Sequence, residues 1–256
     1  MDQKNSVSDE LGFETTVGGL RAIETYYRGI REISSGSTRF FQSESILNTP
    51  LMGTMHPENY RGVADLSTQA DAIFELTLNQ VIESYEKFVK KDYIFDWISI
   101  YTPIRTIKKR DMEKYLIALF EQKKLDTNRL CLEVPSSLLF EEDGVAAEMI
   151  QNIRNRGFHV MLTNFGESNF PFMKLSEFAV DFVMLSPKIL SYLEGDERSA
   201  TAVHSLVQFA DSLDASVIAD GVSTVSQAET LFECECSYVA GPISGKYMKE
   251  RYFNKK

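Results

Sequence analysis

Residues 182–219 read FVMLSPKILSYLEGDERSATAVHSLVQFADSLDASVIA and hold a complete strand, helix and strand. Phe182-Val183-Met184-Leu185 is a brief apolar run, too short for a stable helix and suited to a strand buried on both faces. Ser186-Pro187 follows, a capping residue and then a proline that fits a first helical turn. Ala200, Val203, Leu206, Val207 and Ala210 share one helical face and predict a helix over 198–213. Ser216-Val217-Ile218-Ala219 gives the second strand. Two strands joined by one crossover helix run parallel.

The rhythm continues upstream. Leu66, Ala70, Ile73, Phe74, Leu78, Val81, Ile82, Tyr85 and Phe88 predict a helix within 65–90. Trp97-Ile98-Ser99-Ile100-Tyr101 reads as a strand, and residues 111–121 as a helix. Leu130-Cys131-Leu132-Glu133-Val134 is a strand that Pro135 ends. Residues 142–156 place Val145, Ala146, Met149, Ile150 and Ile153 on one helical face. Gly157 then stands where a C-terminal cap belongs, and Phe158 to Leu162 returns as a strand. Downstream, Thr224 and Gln227 have capping-box spacing, and Tyr238-Val239 is a last short strand.

The class is therefore α/β with a parallel sheet. The roughly six strands after residue 97 fit an open doubly wound sheet or a (β/α)8 barrel, and a length of 256 residues is the usual size of the barrel. Residues 21–256 read as one domain, preceded by a polar tail or lead-in over 1–20. Barrel chemistry sits where strands end, which singles out Glu44, Tyr101, Glu133, Thr163, Asn164, Met184 and Asp220.

Composition narrows the function. Lys and Arg number 27 against 37 Asp and Glu, a net charge of −10. That argues against a nucleic-acid-coating protein and against a basic membrane binder. No apolar run reaches a membrane-spanning length, and the polar, acidic start is wrong for a secretory signal. Three sparse cysteines suit a reducing compartment. The expectation is a soluble cytoplasmic protein. Familiar motifs fail: Gly241-Pro242-Ile243-Ser244-Gly245-Lys246 has the wrong spacing for a phosphate loop and reads as a turn. Cys234-Glu235-Cys236 lacks zinc-knuckle spacing, and His56, His159 and His204 have no metal-spaced partners.

Several segments, in order, resemble one family. Asn164-Phe165-Gly166 after an apolar strand resembles the Asp-Asp-Phe-Gly segment of EAL domains, the cyclic di-GMP phosphodiesterases. Ala219-Asp220-Gly221-Val222 resembles their Ala-Glu-Gly-Val, with Gln227 at the right distance, and Tyr238-Val239-Ala240-Gly241 their Tyr-Val-Gln-Gly. Leu132-Glu133-Val134-Pro135-Ser136 falls at the Glu-Ile-Thr-Glu segment and Ile98-Ser99-Ile100-Tyr101 at a Val-Asn strand end. Tyr26-Tyr27-Arg28-Gly29-Ile30 resembles the opening Tyr-Gln-Pro-Ile, and Glu44-Ser45-Ile46 takes the place of Glu-Ala-Leu. The resemblance spans about residues 22–250. It implies a modified (β/α)8, TIM-like barrel whose first strand runs against the others.

It also implies a chemistry. In the family, two divalent metals held by carboxylates and an asparagine activate water for phosphodiester hydrolysis. Carried over, the signature glutamate is Glu44 and the next ligand glutamate is Glu133. The metal-binding asparagine becomes Tyr101, the bridging aspartates become Thr163 and Asn164, and the water-activating lysine becomes Met184. The Ala-Glu-Gly-Val glutamate shortens to Asp220, the glutamate after it is Ser223, and the late glutamine is Ala240. Glu44, Glu133 and Asp220 remain as weak metal candidates, and no resident metal or cofactor is expected. Glu44 and Glu133 can equally be strand-end carboxylates paired with nearby Arg or Lys, Asn164 a turn residue and Met184 barrel filler.

Dinucleotide contact is a separate matter. The family's phosphate-binding arginine becomes Asn48, which removes a bidentate contact, and its opening glutamine becomes Arg28. Arg28 stands either as a nucleotide contact or as a solvent-side residue at the barrel mouth. The resulting expectation is a catalytically inactive regulatory protein of bacterial signalling that binds another protein. A non-hydrolysing cyclic di-GMP effector is the alternative, and a hydrolase working through the remaining carboxylates comes third. Residues 48–64 depart from the family pattern and place Leu51, Met52 and Met55 in a loop, a candidate partner surface. The family also suggests a homodimer; nucleic acid and membrane are not expected partners.

Overall fold

The computed structural model describes residues 16–17, 20–193 and 197–253. The tail expected over 1–20 lies outside the described residues, apart from a small antiparallel ladder between β1 (Thr16–Val17) and β2 (Leu20–Arg21). The barrel strands are β3 (Ile23–Glu32), β4 (Thr38–Thr49), β6 (Trp97–Tyr101), β7 (Leu130–Pro135), β8 (His159–Phe165), β9 (Phe182–Leu185), β10 (Ser216–Ala219) and β11 (Tyr238–Val239). A short β5 (Gly53–Met55) adds to the end of β4. The sheet runs β3-β11-β10-β9-β8-β7-β6-β4 and closes through β3–β4 pairing. Strand β3 is antiparallel to both neighbours, and the other barrel pairings are parallel. The (β/α)8-type barrel with a reversed first strand is thus present.

The helices are α1 (Pro57–Ala64), α2 (Gln69–Lys90), α3 (Ile104–Ile107), α4 (Met112–Lys123), α5 (Val145–Asn155), α6 (Phe172–Leu175), α7 (Leu190–Leu193), α8 (Glu197–Asp211) and α9 (Val225–Glu233). Their apolar faces pack on the outside of the sheet, as Leu78, Val81 and Ile82 of α2 and Ile150 and Ile153 of α5 do. This burial, rather than helix propensity, holds them in place. The Thr224–Gln227 capping box forms in both directions at the start of α9. Gly157 follows α5 with φ +90°, and a Cβ there would meet Thr127 Oγ1 at 2.7 Å.

A second apolar cluster fills the lumen. Ile30, Phe40, Trp97, Cys131, Met161, Phe182, Met184, Ile218 and Ala240 come from strand after strand around the barrel. Phe40 stacks on Trp97 at 4.1 Å, with Phe182 edge-on to both, and so plugs the end where the parallel strands begin. The opposite end, where those strands finish, is left polar.

Four expectations are corrected. Residues 48–64 are not one loop: they form the end of β4, a turn, β5 and α1. Leu51 (97% exposed) and Met52 (71%) occupy the turn, while Met55 lies in β5 and packs beside Ile23, Leu47 and Tyr60. Leu66 is exposed in the α1–α2 connection and does not join the buried face of α2. The helix expected from 142 begins at Val145, with Gly144 in a left-handed conformation as its N-cap. In α8, Ala200 and Leu206 are only half-buried, unlike Val203, Val207 and Ala210.

Candidate active site

The polar end of the barrel opens into a cavity of about 550 Å³. Arg28, Glu44, Tyr101, Glu133, Thr163, Asn164, Met184 and Asp220 all line it, so eight positions expected from the sequence come together. Ser223 and Ala240 do not line it. Ser223 bonds Gln227 at the start of α9, and Ala240 is fully buried within the lumen cluster. Asn48 is turned away as well: its amide donates to the Arg21 carbonyl and accepts from Thr54.

Gln42, opposite Arg28 in the β3–β4 ladder, organises the cavity floor. Arg28 Nε and Nη2 donate to Gln42 Oε1 at 2.9 and 2.6 Å, and Nη2 also meets Asp220 Oδ1 at 2.7 Å. Tyr247 OH donates to the same Gln42 oxygen at 2.9 Å, and its ring lies 4.8 Å from the guanidinium. The Gln42 amide donates to Glu133 Oε2 at 2.7 Å, and Ser99 Oγ donates to that oxygen at 3.2 Å. Arg28 is therefore not a solvent-side residue: its side chain is 11% exposed, and Asp220 is 20% exposed. Glu133 accepts from an amide and a hydroxyl, and its charge also acts on the Arg61 guanidinium. Burial pushes the Tyr247 phenol well above its usual range, so it stays a donor.

A second guanidinium enters from α1. Pro57 sits in the first turn of that helix, and Tyr60 OH donates to the Ser45 carbonyl at 2.8 Å, which fixes the helix over β4. Arg61 then lies 4.0 Å over the Tyr101 ring, with its Nε buried and without a hydrogen-bond partner among the described residues. Burial acts to lower its pKa, but the neighbouring charges together, Glu133 first among them with Tyr60, Tyr101 and Tyr247, raise it. Tyr101 OH donates to Asp65; burial, that hydrogen bond and the Asp65 charge raise the phenol far above its ordinary value. Burial, reinforced by Glu58, also raises the Glu44 carboxyl, against the pull of Arg61, His56 and Arg28.

Asn164 lies in β8 with φ +61°, at an irregularity in the β8–β9 ladder, and its carbonyl accepts the Glu167 N–H at 3.4 Å. Thr163 Oγ1 donates to the Val134 carbonyl at 3.4 Å. Met184 is lumen filler whose sulfur touches the Gln42 amide at 3.7 Å. These residues do not fit a pair of divalent ions. Such ions need several free oxygen ligands, yet Asp220 Oδ1 is engaged by the Arg28 guanidinium and Glu133 Oε2 by the Gln42 amide. Among the described residues no group of three or more His, Cys, Asp or Glu stands close enough to hold a metal.

Gln42, Arg61, Asp65 and Tyr247 are neighbours of these side chains that sequence reading missed. Only Gln42 left a usable signal, since it lies two residues before Glu44 and so faces the same side of β4.

Comparison with known proteins agrees with this fold. The EAL domain family profile matches residues 19–247. The cyclic di-GMP phosphodiesterase RocR of Pseudomonas aeruginosa is 20% identical over 230 residues, covering 90% of this chain and 58% of RocR. The EAL enzyme Bd1971, solved with cAMP and cyclic di-GMP bound, superposes with a TM-score of 0.82 at 19% identity, covering 90% of this chain and 63% of that one. The FimX EAL domain of P. aeruginosa, solved bound to cyclic di-GMP, gives a TM-score of 0.77 at 13% identity over 88% of this chain and 90% of FimX's. This chain thus spans about three fifths of RocR and of Bd1971. Among the described residues no helix is long and apolar enough to cross a membrane.

Proposed function

The chain belongs to the EAL domain family, and on that premise we propose that it is a non-hydrolysing member of cyclic di-GMP signalling that acts by binding another protein. One observation carries this reading. Arg28 bridges Asp220 and Gln42, and Gln42 continues to Glu133, so two of the three carboxylates left for metal binding, Asp220 and Glu133, are engaged by the chain's own groups. Tyr101, Thr163, Asn164 and Met184 supply neither the missing negative charge nor a group that shuttles protons at neutral pH. Groups that act together in catalysis fail together, so several such losses leave little above background. Leu51 and Met52, exposed in the β4–β5 turn, are the apolar surface best placed for a partner.

A second reading has support of its own: an effector that binds cyclic di-GMP without cleaving it. The cavity is large enough for a small ligand and carries two guanidiniums and two tyrosine rings. Calorimetric titration with cyclic di-GMP, in Mg²⁺ and again in Ca²⁺, separates the two. The protein-binding reading expects no heat under either cation, with a co-purifying partner lost from the Leu51→Asp/Met52→Asp variant. Saturable binding without product overturns it in favour of the effector.

A further inference from the structure

We propose that Arg61 on α1 anchors a site in the barrel mouth for a small ligand that carries one carboxylate on an uncharged body. The inference goes beyond both readings above, since it requires neither a protein partner nor cyclic di-GMP. It starts from a difference between the two guanidiniums of the cavity. Arg28 is fully engaged: its Nη2 lies 2.7 Å from Asp220 Oδ1 and 2.6 Å from Gln42 Oε1. Arg61 makes no ion pair among the described residues. It lies 4.0 Å over the Tyr101 ring, and its Nε is buried without an acceptor. A guanidinium nitrogen withdrawn from water and left unanswered costs free energy, which an acceptor arriving with a ligand recovers.

The protein's own carboxylates do not fill this role. Glu133 acts on Arg61 through its charge, but its Oε2 accepts from the Gln42 amide and from Ser99. Asp220 answers Arg28, Glu44 faces His56 Nδ1 at 3.8 Å, and Glu58 is exposed. The Arg61 side chain is also held in place. Tyr60 OH fastens α1 to the Ser45 carbonyl at 2.8 Å, and Tyr101, beneath the guanidinium, is fixed by its hydrogen bond to Asp65. A planar fork set in this way meets both oxygens of a carboxylate at once. A tetrahedral phosphate spreads its charge to several sides, and here only one cation is unengaged while Glu44 and Glu133 stand near it. The cavity of about 550 Å³ leaves room for a body beyond the carboxylate, and Pro57, Pro135, Leu185 and Pro187 give that body uncharged walls.

The test is calorimetric titration of the full chain with benzoate and, separately, with dimethyl phosphate, at constant ionic strength. The wild type is expected to bind benzoate saturably at one site and more tightly than dimethyl phosphate. Arg61→Gln is expected to weaken benzoate about tenfold or more, and Arg61→Lys to restore only part of the loss, because an ammonium lacks the fork. Glu133→Gln keeps an oxygen for the Gln42 amide and removes the charge that acts most on Arg61, so it is expected to tighten benzoate severalfold. That gain keeps the test decisive even where Arg61→Gln folds poorly. No saturable benzoate binding by the wild type overturns the proposal, as does a preference for dimethyl phosphate. Binding that a folded Arg61→Gln leaves unchanged, or that Glu133→Gln fails to tighten, also overturns it and leaves Arg61 only to offset the charge of Glu133.

Discussion

Arg28 on β3 and Asp220, just beyond β10, meet across the intervening strand β11 through a 2.7 Å ion pair at the barrel mouth. Because the pair is mostly buried, removing one partner leaves the other charge uncompensated. Arg28→Ala should lower unfolding stability by about 2–3 kcal/mol, somewhat less than a fully buried pair because Asp220 keeps contact with water. Urea unfolding reads this directly. Arg28→Lys should recover only part of the loss, because an ammonium cannot present the fork that spans Gln42 and Asp220.

Gln42 is the hinge of the network. Its carbonyl accepts from Arg28 and Tyr247 while its amide donates to Glu133. Gln42→Leu fills similar volume but leaves Glu133 with Ser99 alone and Tyr247 OH without its acceptor. A loss of about 2 kcal/mol is expected in urea unfolding. A loss below about 0.5 kcal/mol would show that water substitutes freely for the amide.

Glu44 is a carboxylate that burial works against. Its folded-state pKa is raised, so the folded protein holds that proton more tightly than the unfolded chain does. Glu44 therefore costs stability as pH rises above the ordinary carboxylate value and through the raised one. Glu44→Gln should melt higher than wild type at pH 7, and the gap should close below about pH 4. Melting curves across that range check the sign.

Asp181, before β9, behaves oppositely. Burial alone would raise its pKa, but the neighbouring His159 imidazole, 3.9 Å away, and hydrogen bonds from Arg154 and the Val160 N–H hold it below the ordinary value. Arg154 Nε and Nη2 lie 2.9 and 2.8 Å from Oδ1, and Val160 N lies 2.8 Å from Oδ2. Its stabilisation is present above the unfolded carboxylate pKa and is lost as pH falls through the lowered one. Asp181→Asn should cost about 2 kcal/mol at pH 7 and progressively less in acid, as measured by denaturant unfolding.

The parallel strands were legible because strands covered on both faces are written as apolar runs. Phe182–Leu185 and Ser216–Ala219 begin and end where the sequence placed them, and so do Trp97–Tyr101 and Tyr238–Val239. The capping box at Thr224 was equally plain, since both of its bonds are local. Residues 48–64 were not legible. Their three-residue strand and short helix are held by tertiary contacts such as Tyr60 to the Ser45 carbonyl, which leave no periodic trace.

The site divides along the same line. Strand-end positions such as Glu133 and Asp220 could be read because strand ends can be read, and Gln42 was within reach through the alternation of β4. Arg61 reaches the cavity from a helix the sequence did not announce, and Tyr247 from an irregular segment after the last strand. Chain order carries no hint that either meets Arg28 or Tyr101.

The most direct measurement is incubation of the purified protein with cyclic di-GMP in Mg²⁺ and in Mn²⁺, with the nucleotides then resolved by chromatography. A mouth in which Arg28 and Gln42 hold Asp220 and Glu133 should give no linear dinucleotide beyond the protein-free control. Linear product that requires the metal, grows with protein concentration and disappears in Glu133→Ala would contradict the non-hydrolytic reading.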